Sequence, residues 1–139
     1  MSSHFPVATQ TDQEAGISLG SFVSPAKQSF HDSACKAWCS WTIVTGTPTL
    51  RGGAGAQYNV TSLTDGGAGA TAINFTTNFS SVNFTCVVSG ASIPGTRPLI
   101  MSTGTYAVGS VDTATVDPDT PFAGADPTSE VGAACFGDR

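Results

Sequence analysis

Four cysteines, two histidines and a cluster of aspartates are the residues whose chemistry the chain could use. Cys35, Cys39, Cys86 and Cys135 supply thiols, which as thiolates act as nucleophiles, metal ligands or disulfide partners. On one extended strand Cys35 and Cys39 share a face but stand roughly 13 Å apart, beyond the reach of a disulfide. Each then needs a partner elsewhere in the chain or in another subunit. Four cysteines allow three intrachain pairings, and their spacing does not choose among them. The other reading is free thiols packed as small apolar side chains. His31 precedes Cys35 by four residues, the spacing of an imidazole–thiol pair on one helical face. The segment runs directly into the strand-like AWCSW, however, so helical spacing does not apply to it. Structural zinc sites use C-x-x-C knuckles, whereas three residues separate Cys35 from Cys39 and no second pair lies nearby, so no metal is expected.

The stretch Asp112–Thr128 (DTATVDPDTPFAGADPT) gathers Asp112, Asp117, Asp119 and Asp126. Their order is not that of an EF-hand, and no bidentate Glu closes the series. Asp117 and Asp119 flank Pro118, but on an exposed segment nothing raises the pKa of one of them for acid–base work. The stretch reads as a long surface loop. The Gly-rich segments lack the Lys-Ser/Thr of a P-loop and the G-x-G-x-x-G of a dinucleotide fold. No nucleophile–base–orienter set is visible. Neither an enzyme nor a cofactor is expected.

The elements that hold these residues read as strands. The 139 residues amount to one domain, or one domain with an arm. Charged residues make up only 11 %, and Ser, Thr and Gly are abundant, which suits strands and turns rather than a helical bundle. The period is two over Ala37–Val44, with Ala37, Cys39, Trp41 and Ile43 opposite Trp38, Ser40, Thr42 and Val44. Further strands are expected over Tyr58–Thr64, Ala70–Thr77, Val82–Ser89, Leu99–Met101, Thr105–Val111 and Val131–Phe136. The pentapeptide GGAGA, at 52–56 and 66–70, reads as two related turns. The expected fold is all-β, an antiparallel β-sandwich or small barrel over residues 35–139, with an extended N-terminal arm over residues 1–34. In the arm, Thr11 and Glu14 have capping-box spacing for a single helical turn. Phe5, Ile17, Leu19, Phe22 and Val23 are its apolar anchors, too few for a core of their own, and so are candidates for docking or subunit contact.

Charge and hydropathy remove two partner classes from the expectation. The net charge is −5 and the five basic residues are scattered singly, so nucleic acid is not an expected partner. No apolar run approaches the ~18 residues of a membrane span. The N-terminus lacks the basic and apolar regions of a signal peptide, so the sequons at Asn59, Asn74, Asn78 and Asn83 read as accidents of an Asn- and Thr-rich sequence.

The stretch TQTDQEAGISLGSFVSPAKQSFHDSACKAW, ending at Trp38, resembles the TQ-x-x-x-EAG…V-x-P…H-x-SA-x-KAW segment of bacteriophage tail-fibre and related virion proteins. YNVTSLTDGGAGATAINFTTNFSSVNFTCVVSG (58–90) is similar to that family's YNV-S-TD…NFTT core, and AACFGD (133–138) resembles its closing strand. The resemblance spans most of the chain in the family order. It implies a β-rich module at a phage surface, often trimeric, without enzyme activity and with capsid or tail proteins as partners. Cys39, Cys86 and Cys135 depart from the pattern by placing sulfur where apolar residues are usual. Released particles meet an oxidising environment, so interchain disulfide crosslinks are expected. The chain is short for a receptor-reaching fibre, which makes a spike, decoration protein or short fibre tip the expected form. Trp38, Trp41, Tyr58 and Phe84 are candidate core or interface anchors. The alternative is a module binding a host receptor or carbohydrate, with exposed aromatics and the Asp112–Thr128 segment gripping sugar.

Overall fold

The computed structural model describes residues 9, 34–52, 56–90, 100–118, 123–127 and 130–138. Strands follow one another along the chain as β1 (Cys35–Val44), β2 (Thr47–Leu50), β3 (Gln57–Tyr58), β4 (Val60–Asp65) and β5 (Ala70–Phe75). The second half adds β6 (Thr85–Ser89), β7 (Ile100–Ala107), β8 (Ser110–Asp117), β9 (Ala123–Gly124) and β10 (Val131–Phe136). They form two antiparallel sheets packed together as a β-sandwich. The first sheet has the order β2-β1-β10-β6, with β3 also paired to β1; the second has the order β4-β5-β8-β7, with β9 paired to β8. Of the two expected architectures, the sandwich is the one formed.

The two-residue period decides what is buried. In β5, β8 and β10 every second residue turns inward, bringing Ile73, Phe75, Val111, Val131 and Cys135 into one core with Trp41 of β1. Thr113 is buried among them, and its hydroxyl donates to the Thr71 carbonyl at 2.9 Å, so its polar atom does not go unpaired. One end of the core is filled by aromatic rings. Phe79 stacks on Phe84 at 4.2 Å between centroids, and Phe75 and Tyr106 meet this pair edge-on. Trp41 and Phe84 are thereby core residues.

Three sequence expectations need correction. Asp112–Asp117 is not loop but most of β8: Val111, Thr113 and Thr115 alternate inward, and this period outweighs the loop-like Asp content until Pro118 ends the strand. Thr105–Val111 is not one strand, because a turn at Val108 and Gly109 reverses the chain between β7 and β8. Tyr58–Thr64 is interrupted at Asn59, whose φ is +56°, a left-handed conformation that Asn tolerates better than most residues. Asn59 is fixed there by its amide, which accepts from the Thr77 N–H at 2.7 Å and donates to the Thr77 carbonyl at 3.0 Å. The unforeseen β2 contains Pro48; as a sheet edge it has a free side on which no N–H is needed.

Candidate interaction face and cysteine cluster

The strand period that sends Trp41 inward sends Trp38 outward. Trp38 on β1 faces Tyr58 on β3 and, across its other edge, Ala134 on β10, which in turn faces Val87 on β6. Cross-strand partners share a face, so these four residues form one row across the outer surface of the first sheet. Trp38 and Tyr58 are 40 % and 41 % exposed, and Val87 is more exposed still. Flanking rows are Cys35, Phe136 and Thr85 on one side and Ser40, Gly132 and Ser89 on the other. None of these register partners carries a charge. Lys36 is the extra residue of the bulge between Cys35 and Ala37 and is buried. Charge stands at the edge of the face, where the Arg51 N–H donates to the Ser40 carbonyl at 2.8 Å and the exposed Arg51 guanidinium pairs with Glu130, the residue before β10.

Three of the four cysteines lie beneath this face, in the core. Cys39, Cys86 and Cys135 are buried on strands β1, β6 and β10, while Cys35 is exposed at the start of β1. Cys35 and Cys39 do not share a face as expected, because the extra residue Lys36 in the bulge turns Cys35 to the outer side. All four are free thiols. Cys135 stands directly opposite Cys86 in the β10–β6 register. On its other side Cys135 faces Ala37, and Cys39 faces Ala133, so Cys39 is only a diagonal neighbour of Cys135. Hydrogen bonding with the Cys135 thiol holds the Cys86 thiol below its ordinary value although burial works the other way. The same bond, reinforced by burial and by the neighbouring thiols, pushes Cys135 strongly up. Burial, and secondarily the charge on Cys86, pushes Cys39 up to about 12. Cys39 and Cys135 thereby hold their protons, and the burial of all three thiols keeps them from outside reagents in the closed fold. Among the described residues, no group of three or more His, Cys, Asp or Glu side chains is arranged to hold a metal ion.

The outer face of the second sheet has a different character. A shallow trough of about 300 Å³ runs over Ala70, Ala72 and Ala114, with Thr64, Gly104 and Asp112 among its other lining residues. Asn74 donates to Thr64 at 2.9 Å and to Ser62 at 3.2 Å at the outer surface of β4 and β5. Asp112 belongs to this face, whereas Trp38 and Tyr58 belong to the opposite one. The arm anchors Phe5, Ile17, Leu19, Phe22 and Val23 lie outside the described residues, as do His4, His31, Asp119 and Phe122. Val87, Ala134 and Phe136 are the face residues that sequence reading missed; their alternation was visible, but their alignment with Trp38 depends on register.

No protein-family model matches the chain, and no curated protein or solved structure is significantly similar to it.

Proposed function

We propose that the chain is a structural protein of a tailed-phage particle: a small oligomeric surface spike, short fibre or decoration subunit. The observation that carries this reading is the centre of the first sheet's outer face, where Tyr58, Trp38, Ala134 and Val87 form a continuous row without charge and the Arg51–Glu130 ion pair stands at the rim. Interface cores are depleted in charge and enriched in aromatic residues, and this face has that composition. The motif resemblance to virion proteins, carried by the KAW, YNV…NFTT and AACFGD segments, supplies the setting. The face joins copies of the chain, and a trimer is the assembly the resemblance favours.

An interchain disulfide has one accessible site, Cys35. One thiol per chain joins two chains and never three, so the assembly is held by its surfaces and a covalent trimer is not expected. The carbohydrate-binding alternative has weaker support, because Asp112 stands on the opposite face of the sandwich from Trp38 and Tyr58. Mass spectrometry of gradient-purified particles tests the virion reading directly. The chain is expected among the particle proteins at a stoichiometric level; its absence from intact particles would overturn the reading.

A further inference from the structure

We propose that oxidation joins Cys86 to Cys135 in an intrachain disulfide that staples the edge strand β6 to β10. The pair is selected by register. Residues directly opposite in an antiparallel ladder have Cα atoms about 4.5–5.5 Å apart, inside the window of about 4.4–6.8 Å that a disulfide spans. Cys135 and Cys86 hold such positions, with both side chains on the core side of the sheet. The other combinations fail: Cys39 and Cys86 have β10 between them, two strand spacings or about 9–10 Å. Cys39 and Cys135 are diagonal neighbours, at a separation of about 7–8 Å. Cys35 is exposed on the opposite face of the sheet from the three buried thiols.

The two thiols differ in access. Cys86 is 7 % exposed and sits on an edge strand, while Cys135 is 1 % exposed on an interior strand. Fraying of β6 therefore presents Cys86 first. With an azo oxidant such as diamide, the Cys86 thiolate adds to one nitrogen of the N=N bond. The Cys135 thiolate then attacks the Cys86 sulfur and expels the reduced nitrogen. Two S–H bonds are lost, one S–S bond forms, and two electrons and two protons reduce the azo group to a hydrazine. The inference is independent of the virion reading, because it concerns a bond within one chain.

The test is prolonged diamide treatment of the purified full-length chain, then denaturation, alkylation and chymotryptic mapping. Cleavage at aromatic residues places Cys86 and Cys135 in separate peptides. The expected result is a disulfide-linked peptide pair containing Cys86 and Cys135, present in Cys39→Ala and absent from Cys86→Ser. Mapping of the wild-type protein decides the matter if a variant fails to fold. Full alkylation of all four cysteines after treatment would overturn the proposal, as would linkage of Cys86 or Cys135 to any other cysteine.

Discussion

At the scale of single residues, the same element sorts its side chains into opposite roles. Trp41 and Trp38 are three positions apart on β1; the first is 1 % exposed and the second 40 %. Trp41→Ala is expected to lower unfolding free energy by about 3–5 kcal/mol, the range for emptying a buried aromatic site, as measured in urea. Trp38→Ala is expected to cost the isolated chain less than about 1 kcal/mol, in line with surface substitutions. The thiols give a pH signature. Cys39 keeps its proton up to about 12 in the fold, against an ordinary value of 9.0. Between those values the folded chain holds a proton that the unfolded chain has released. This contribution to stability is therefore full below pH 9 and is lost as the pH rises toward 12. Unfolding free energy measured across that window should fall, and Cys39→Ala should flatten the fall. Native thiol counting at pH 8 is expected to register Cys35 promptly and the other three only on denaturation; a second fast thiol would contradict the burial of the cluster.

At the scale of elements, the turns show how tightly the sheets are closed. In the second GGAGA segment the Gly69 N–H donates to the Asp126 carboxylate at 2.7 Å, and the Gly69 carbonyl accepts from the Thr115 N–H at 2.7 Å. Gly69 has φ +74°, and a Cβ there would stand 2.3 Å from the Thr115 carbonyl oxygen. Gly69→Ala combines strain with collision and is expected to cost more than about 2 kcal/mol by chemical denaturation. A loss under 0.5 kcal/mol would show that this turn does not hold β5 against β8 and β9. Much of this level was legible beforehand, because β1, β5 and β10 announce themselves by alternation. The failures share one cause. Asp112 and Asp117 disguised β8 as loop, and Tyr58-Asn59-Val60 continued an alternation that the left-handed Asn59 breaks. Composition and local period do not carry such tertiary decisions. Nor do they carry register, which alone sets Cys135 opposite Cys86 and Tyr58 beside Trp38.

At the scale of the whole molecule, the two outer faces divide the surface into a side with an aromatic, uncharged centre rimmed by the Arg51–Glu130 pair and a polar side bearing Asp112. Copies of the chain meet through the first of these in the proposed assembly, and the buried thiols stay within each chain. Non-reducing electrophoresis should therefore show single chains and at most Cys35-linked pairs; a covalent trimer would require a buried cysteine to cross between chains. The native mass by light scattering, measured with reductant present, bears most directly on the central claim. About three times the 14.0 kDa chain mass is expected for the wild type, falling to a single chain in Trp38→Glu. A wild-type value of one chain mass would contradict the proposal that this face joins copies of the protein.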